Sequence, residues 1–232
     1  MTDSKIIVAL DYAEEQLALD FVSKISPELC RLKVGNELFT TAGPGFVGRL
    51  SDLGFDVFLD LKYHDIPNTV AKACEAAARL GVWLVNVHTS GGRVMMETAA
   101  EALKKHANPP LLIGVTVLTS MDKSQLQGIG LDLEPIDQVK RLAKLACDSG
   151  LDGVVSSAQE VSAIKSICGK SFLCVTPGIR PAGAALGDQN RVMTPVDAVR
   201  NGSDYLVIGR PITRAEDPVA VLKSINADLA DA

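Results

Sequence analysis

The stretch DVFLDLKYHDIPNT, residues 56–69, places several ionisable side chains close together. Asp60, Lys62 and Asp65 follow a run of apolar residues, and His64 lies among them. Residues two apart on a strand point to the same face, so Asp60 and Lys62 are predicted to face the same space. Carboxylates favour the protonated form of a nearby lysine, which could then donate a proton to a carbanion. The stretch therefore predicts acid–base chemistry at the end of a strand.

Two interpretations compete over these charges. A strand that ends at the surface often carries an ion pair worth under about 1 kcal/mol, with no role in chemistry. Lys33 and Asp11 end two further apolar runs, however, so carboxylates and ammoniums are expected to alternate around one opening. At about 4 Å and an effective dielectric near 20, a bound carboxylate beside Asp60 would meet about 4 kcal/mol of repulsion. Loss of that group as CO₂ would remove the repulsion, which favours a decarboxylation.

A second group of residues has the chemistry of a phosphate site. Gly209 and Arg210 lie in VIGRPI, where glycine lets an oxyanion approach a backbone amide and arginine offers a two-pronged donor. The segment TPGIRPAGAALGDQNR adds Pro177, Arg180 and Gln189, with glycines that could fold over a ligand. Either motif alone is also compatible with an ordinary turn. Together they predict phosphate binding.

Short runs rich in Val, Ile and Leu precede these residues, and helical patterns follow them. The predicted strands span residues 5–12, 30–36, 56–64, 83–89, 111–120, 152–158, 171–179 and 205–212. Apolar residues at three- and four-residue spacing predict helices at 13–26, 68–81, 92–107, 135–150 and 217–230. Eight such β/α units predict an α/β fold, a (β/α)8 TIM barrel in which residues 1–232 form a single domain. A doubly wound sheet is the rival fold, but its GxGxxG motif is missing after the first strand.

In such a barrel, the carboxyl ends of the strands form the rim where active sites lie. The candidate residues that fall there are Asp11, Lys33, Asp60, Lys62, Thr119, Pro177 to Arg180 and Arg210. Two irregular segments at the same rim, residues 121–134 and 180–192, are candidate lids. His64 shares the face of Lys62 only if the third strand continues, and His88 at the end of the fourth strand is expected to have a structural role.

Composition narrows the classes of protein. The 232 residues are 47% apolar with a net charge of −5, which suits a globular protein and argues against broad binding to nucleic acid or an anionic membrane. No apolar run approaches the length of a membrane span, and the amino terminus lacks the pattern of a secretion signal. Five cysteines without a CxxC pair predict reduced thiols. We therefore expect a cytoplasmic protein.

The motifs resemble those of a known family. DLKYHDIPNT is similar to the DxKxxD signature of the orotidine 5′-monophosphate decarboxylase family. Six further blocks resemble the bacterial form in the same order along the whole chain, namely VALD, LKVGNELF, VTVLTSM, VTPGIRP, GDQNRVMTP and DYLVIGRPIT. The resemblance implies decarboxylation of orotidine 5′-monophosphate to uridine 5′-monophosphate in pyrimidine synthesis, without a metal or cofactor. It also implies that the phosphoribosyltransferase domain fused to this activity in some organisms is absent.

The same resemblance implies a role for each candidate residue. Lys33, Asp60, Lys62 and Asp65 would form a charged array in which Asp60 crowds the leaving carboxylate and Lys62 protonates the carbanion at pyrimidine C6. Asp65, with Thr69, would reach the site of a second subunit, which implies a homodimer. The substrate-binding residues would be Asp11 and Lys33 for the ribose hydroxyls, Thr119 for the pyrimidine, Gln189, Gly209, Arg210 and the Arg180 region for the phosphate, and Pro177 as a further contact.

Two alternative functions remain open at this point. Magnesium-dependent barrels of the same superfamily, such as ketogulonate-phosphate decarboxylase and hexulose-phosphate synthase, also carry a D-x-K-x-x-D segment. Their metal is held by carboxylates, whereas Lys33 lies where a metal site would prefer an acid. A barrel that senses nucleotides without converting them is the second alternative. Nucleotide binding alone does not require a lysine flanked by two aspartates, so the sequence favours an enzyme.

Overall fold

Eight parallel strands form a closed barrel in the computed structural model, which describes residues 3–181 and 193–231. Each strand pairs with the next one along the chain, and the last strand pairs with the first. The strands are β1 (Ile6–Ala9), β2 (Arg31–Gly35), β3 (Val57–Tyr63), β4 (Leu84–His88), β5 (Leu111–Val115), β6 (Gly153–Val155), β7 (Leu173–Thr176) and β8 (Tyr205–Ile208). The prediction of a closed (β/α)8 barrel is confirmed.

Helices follow the strands and cover the outside of the barrel. Within the described residues they are α1 (Glu15–Val22), α2 (Asn36–Asp52), α3 (Pro67–Arg79), α4 (Arg93–Leu103), α5 (Lys123–Gly128), α6 (Pro135–Asp148), α7 (Val161–Cys168), α8 (Pro195–Arg200), α9 (Arg210–Thr213) and α10 (Pro218–Ala230). Proline lies in the first turn of α3, α6, α8 and α10, as the helix-start pattern predicts. None of the described helices is long and apolar enough to cross a membrane.

The side chains inside the barrel form a layer distinct from those between strands and helices. The inner layer consists of Ile7, Ala9, Phe58, Leu84, Ile113, Val175 and Val207. Alternate residues such as Ile6 and Val8 pack outward against the helices. Both faces of each strand are buried, which explains the near-continuous apolar runs in the sequence. Gly153 in β6 has no room for a side chain, because a Cβ there would lie 2.3 Å from the Leu173 carbonyl oxygen.

All eight strands end before their predicted carboxyl ends, and the difference is largest for β5 and β8. β5 ends at Val115 rather than at residue 120, so Thr119 lies in the loop after the strand. β8 ends at Ile208, and Arg210 begins the short helix α9. The apolar pattern continues past the last paired residue because side chains such as Val117 still bury themselves at the mouth of the barrel. Periodicity therefore marks burial, and it does not mark where strand pairing stops.

Of the two candidate lids, only the segment 121–134 lies completely within the described residues. The segment 121–134 contains α5, whose first turn is capped by the Asp122 side chain accepting the Gln125 N–H at 3.0 Å. An ion pair between Lys123 and Glu134, 2.5 Å apart, joins the two ends of this segment. Residues 182–192 of the second candidate lid lie outside the described residues.

Candidate active site

A cavity of about 290 Å³ opens at the carboxyl ends of the strands. Nine residues that the sequence predicted for the site line it, namely Asp11, Lys33, Asp60, Lys62, Thr119, Pro177, Arg180, Gly209 and Arg210. They follow or belong to β1, β2, β3, β5, β7 and β8. A closed barrel brings all of its strand ends to one rim, so residues far apart in the sequence meet there.

Asp60 is the centre of a charged array at the end of β3. Its Oδ1 lies 2.7 Å from the Nζ of Lys62, and its Oδ2 lies 3.3 Å from the Nζ of Lys33. The Lys33 Nζ is also 3.4 Å from Oδ1 of Asp11. The side chains of Lys33 and Asp60 are both 11% exposed, whereas that of Asp11 is 65% exposed. Two cations therefore hold one buried carboxylate, and a further carboxylate lies at the solvent edge.

Opposing effects set the charge of Asp60. Burial by itself raises the pKa of Asp60, because it removes water from the carboxylate. The charges of Lys33 and Lys62, with hydrogen bonds from Lys62 and Asn86, outweigh burial, so the pKa of Asp60 lies below its ordinary value. Asp60 is therefore an anion at neutral pH. A second carboxylate placed beside it in the cavity meets a fixed negative charge.

The end of β3 departs from a regular strand. Its register with β4 shifts between Leu59 and Tyr63, so that three residues of β3 lie opposite one of β4. Lys62 has a φ of 51°, and it is the only residue other than glycine with a positive φ in the described chain. A non-glycine residue in this left-handed region costs about 1–2 kcal/mol. Lys62 does meet Asp60, but across a distorted strand end rather than through the regular alternation that the sequence predicted.

The residue opposite this distortion is Asn86 in β4, which is not among the site residues predicted from the sequence. The residue is completely buried. Its Nδ2 donates to Oδ1 of Asp60 at 2.7 Å, and its Oδ1 accepts the backbone N–H of Lys62 at 2.8 Å. The sequence does contain a signal for this residue, namely a single amide inside the apolar run WLVNVHT. A buried amide must find hydrogen-bond partners. The sequence could not say which partners it finds.

A pair of guanidinium groups lines another part of the cavity. Burial and the nearby charge of Arg210 lower the pKa of the Arg180 guanidinium, which indicates that the two cations lie close together. Gly178, which has a φ of 78°, provides the turn that leads to Arg180. An anion bound between two such cations would relieve their mutual repulsion. Gln189, which was predicted to share this role, lies outside the described residues.

The remaining wall of the cavity is largely apolar. It is formed by Val115, Val117, Leu118, Val155 and Pro177, with Thr119 and Ser156 as polar members. The Ser156 hydroxyl is buried and has no hydrogen-bond partner among the residues that the structure describes. A flat, weakly polar ring would fit this wall, with the hydroxyls available to its polar edge.

Asp65 and Thr69 stand apart from the other candidates. Both residues are exposed, and neither lines the cavity of its own chain. The Asp65 Oδ1 accepts the backbone N–H of Ile66 at 2.6 Å, just before α3 begins. A single chain therefore gathers Lys33, Asp60 and Lys62 into the array but does not add Asp65 to it.

The two histidines beside the array pack on each other. β3 ends at Tyr63, so His64 lies beyond the strand and is exposed. Its ring centroid is 5.6 Å from that of His88, which is partly buried at the end of β4. Burial and then the charges of His64 and Lys62 lower the pKa of His88, while Asp60 opposes them. His88 therefore remains near the array as a largely neutral side chain at neutral pH.

The carboxylates of the array are arranged around lysines. The Lys33 Nζ lies between Asp11 and Asp60, where it competes for the oxygens that a divalent cation would need. In the part of the chain that the structure describes, no three or more His, Cys, Asp and Glu side chains form a group that could hold a metal ion.

Comparisons with known proteins identify the family of the chain and support the barrel fold. Residues 4–225 match the model of the family described as orotidine 5′-phosphate decarboxylase / HUMPS. Over 231 residues the chain is 63% identical to a protein named orotidine 5′-phosphate decarboxylase from Aliivibrio fischeri (strain MJ11), covering 99% of each chain. It is 64% identical over 231 residues to a protein of the same name from Vibrio parahaemolyticus, again covering 99% of each. The crystal structure of the orotidine 5′-phosphate decarboxylase from Lactobacillus acidophilus aligns with a TM-score of 0.87 and 40% identity, covering 98% of this chain and 99% of that one. The chain therefore belongs to the orotidine 5′-phosphate decarboxylase / HUMPS family.

Proposed function

We propose that this protein converts orotidine 5′-monophosphate to uridine 5′-monophosphate and CO₂, as one domain over residues 1–232. The observation that carries the proposal is the Asp60 carboxylate, held between Lys33 and Lys62 on the wall of the cavity. The names of relatives more than 60% identical over nearly the whole chain favour this substrate over those of the magnesium-dependent barrels.

In this proposal each part of the nucleotide has its own contacts in the cavity. Arg180, Arg210 and Gly209, with Gln189, bind the phosphate in this proposal, because paired guanidiniums and an open backbone suit an oxyanion. Asp11 and Lys33 bind the ribose hydroxyls as acceptor and donor. The pyrimidine lies along the apolar wall, where Thr119 meets its polar edge and Pro177 packs on it. The phosphate contacts supply binding energy far from the reacting carbon.

The reaction then proceeds without a change in the protein's fixed charges. The substrate carboxylate is seated beside Asp60, where like charges repel each other by about 4 kcal/mol at about 4 Å and an effective dielectric near 20. The bond between C6 and the carboxylate breaks, CO₂ leaves, and the electron pair remains on C6. The ammonium of Lys62 stabilises that charge and gives its proton to C6, and Lys62 later regains a proton from solvent. Positioned charges need little reorganisation during this step, which is why they lower the barrier.

The proposal needs no metal and no cofactor, since Lys62 itself supplies the positive charge and the proton. A chelator experiment tests this point. We expect the activity of the purified protein to persist in excess EDTA. Loss of activity that added magnesium restores would instead assign the protein to the metal-dependent branch of the superfamily.

The exposed position of Asp65 and Thr69 supports a homodimer in which each chain completes the site of the other. Two large apolar side chains near them are exposed, Ile66 at 67% and Val94 at 65%. They lie at the starts of α3 and α4, helices that pack on each other. An apolar surface beside two unused polar residues suits an interface that delivers those residues to a second chain. We place this dimer in the cytoplasm, where the five free thiols would stay reduced.

The decisive experiment follows the absorbance change as orotidine 5′-monophosphate is converted. We expect the wild-type protein to turn the substrate over and Lys62→Ala to lose at least about 10³-fold in kcat. The variant should still bind uridine 5′-monophosphate, since the phosphate contacts remain. Lys24→Ala, at an exposed lysine, is the matched control. Absence of turnover in the wild type would point to a nucleotide sensor, and full activity of Lys62→Ala would remove the proposed mechanism.

Complementation between two variants tests the dimer. Lys62→Ala and Asp65→Ala should each be inactive alone. In a mixture that exchanges subunits, about half of the dimers are mixed, and one of their two sites has both residues, so about a quarter of the wild-type activity should return. If the mixture stays inactive although subunits exchange, Asp65 does not act across the interface.

A further inference from the structure

Asn86 is a buried polar residue in the barrel interior. It lies two residues from Leu84 on β4, and Leu84 belongs to the apolar layer that fills the barrel. The residue has no exposed surface. Burying an amide without hydrogen bonds is unfavourable, so an amide at this position needs partners for its donor and its acceptor. Both partners of Asn86 belong to the end of β3.

The register between β3 and β4 explains why these partners are available. Leu59 pairs with Val85, and Tyr63 pairs with Val87. Residues 60–62 of β3 therefore lie opposite Asn86 alone, and the backbone ladder is interrupted at this point. The Asn86 Oδ1 takes the place of the missing ladder acceptor, because it accepts the Lys62 N–H at 2.8 Å. The side chain thus completes the hydrogen bonding of the distorted segment.

The same amide also restrains the carboxylate of Asp60. The Oδ1 of Asp60 accepts hydrogen bonds from the Asn86 Nδ2 and the Lys62 Nζ, both at 2.7 Å. Its Oδ2 faces Lys33 at 3.3 Å. Rotation of the carboxylate would break contacts on both oxygens. One side chain therefore contacts the carboxylate of Asp60 and the backbone of Lys62 at once.

We propose that Asn86 is a positioning residue, which orients the Asp60 carboxylate and holds the Lys62 backbone in its left-handed conformation so that the ammonium meets the reacting carbon. This inference rests on the proposed function, since it assigns Asn86 to the reaction in which Asp60 and Lys62 act. It does not require Asn86 to touch the substrate. Its effect is on the placement of two groups, one of which repels the substrate carboxylate while the other donates the proton.

The chemistry of an amide suits this position better than its alternatives. Leucine would fill a similar volume but would leave the Lys62 N–H without its acceptor and Asp60 without its donor. Aspartate would keep the acceptor but would place a second carboxylate against Asp60. Only a neutral group that donates at one end and accepts at the other meets both needs. Asn86→Leu and Asn86→Asp therefore remove different parts of the same arrangement.

The test separates positioning from stability. We expect Asn86→Leu to lower kcat about 10- to 100-fold, since small displacements of reacting groups have effects of this size. The affinity for uridine 5′-monophosphate should stay within about threefold, because the phosphate contacts are unchanged. Asn226→Leu is the matched control. Asn226 makes three side-chain hydrogen bonds, to Ser4, Leu29 and Leu222, so its loss should lower the melting temperature without lowering kcat.

Each outcome decides whether Asn86 is a positioning residue. If Asn86→Leu is folded and its kcat is within twofold of the wild type, the inference is wrong. If kcat and nucleotide affinity fall together, or if neither Asn86→Leu nor the isosteric Asn86→Asp folds, the amide has a structural role instead. Lys62→Ala, measured in parallel, keeps the two proposals apart. An active Lys62→Ala would overturn the proposed mechanism, whereas an inactive one with a normal Asn86→Leu would overturn this inference alone.

Discussion

Both ends of the barrel contain buried cations paired with carboxylates, and β2 supplies one to each end. Lys33 belongs to the array at the carboxyl end, and Arg31, two residues earlier on the same face of the strand, lies at the amino end. The Arg31 guanidinium stacks on the rings of Trp83 and Tyr205, 4.6 and 5.1 Å from their centroids. Its Nε lies 3.3 Å from Asp56, and its Nη1 donates to the carbonyl oxygen of Ser4.

A second cation at the amino end, Lys165, is enclosed by oxygen acceptors of the protein. Lys165 donates to the carbonyl oxygens of Lys170 and Phe172 at 2.9 and 2.8 Å, and to Asp204 at 2.7 Å. All three of its N–H groups therefore have protein acceptors. The same Asp204 oxygen accepts the backbone N–H of Cys174 at 2.7 Å, which joins this ion pair to β7.

The array at the carboxyl end is built differently. Among the described residues, the Lys62 ammonium donates to a single protein acceptor, Asp60, and its side chain is 30% exposed toward the cavity. Donor capacity is thus left for a ligand. Charges enclosed by carboxylates, carbonyl groups and aromatic rings of the protein contribute to the fold, whereas charges with donor capacity left beside a cavity are available for binding and chemistry. The comparison can be tested by removing charges at each end and measuring activity and stability separately.

The largest effect is expected from Asp60→Asn. The substitution keeps the shape of the side chain but removes the negative charge that repels the substrate carboxylate. The loss of about 4 kcal/mol of repulsion in the bound substrate corresponds to about a 10³-fold decrease in kcat, while KM falls because the substrate binds more tightly. Steady-state kinetics measure it, and Asp52→Asn at an exposed aspartate is the control. A decrease smaller than tenfold would mean that the charge of Asp60 contributes little to the reaction.

Removal of the Arg31 guanidinium at the amino end should affect stability alone. Arg31→Leu leaves the partly buried Asp56 carboxylate without its partner, which is expected to lower the free energy of unfolding by about 3 kcal/mol. The kcat/KM of the folded variant should remain within twofold of the wild type. Urea denaturation and kinetics on the same preparation measure both quantities, with the exposed Arg79→Leu as control. If Arg31→Leu were as stable as the wild type but much less active, the assignment of stability to the amino end and activity to the carboxyl end would be wrong.

The phosphate side should show a smaller loss that appears in substrate binding. Arg210→Gln removes one of the two cations near the proposed phosphate. A hydrogen bond to a charged group contributes about 1.5–3 kcal/mol, so KM should rise about 10- to 100-fold. Arg214→Gln, at the exposed residue after α9, should leave KM unchanged. An equal effect of the two substitutions would indicate general electrostatic attraction instead of a phosphate site.

The smallest effect concerns the pH dependence of stability. The pKa of His88 is lowered by burial and by the charges of His64 and Lys62, against the opposing charge of Asp60, so the unfolded chain binds a proton at higher pH than the folded one. The contribution of His88 to stability is therefore present above about pH 6.5, the value for an unfolded histidine, and is lost as the pH falls toward the folded pKa. His88→Asn should reduce this loss. Urea denaturation at pH 7.5 and at about pH 5.5 measures the difference, and an unchanged pH dependence would contradict the argument.

Much of the fold was predictable because its signals are local. Each strand is an apolar run of a few residues, and several helices begin at a proline or a capping aspartate. Where local signals conflict, prediction was weaker. None of the predicted helices covers α2, which contains a kink at Gly43 and Pro44, where Gly43 has a φ of 70°. The run after β5 is apolar beyond the strand, so Thr119 was placed on a strand and lies in a loop.

The sequence by itself determined the eight β/α units and the types of side chain that follow each strand, because hydrophobic periodicity and side-chain chemistry are properties of neighbouring residues. Only the tertiary structure decided how these side chains meet. The shift in register between β3 and β4, the positive φ of Lys62 and the position of Asn86 depend on residues more than 20 positions apart. The same is true of Arg31 between Trp83 and Tyr205. Contacts of this kind are fixed by closure of the barrel, which no local pattern records.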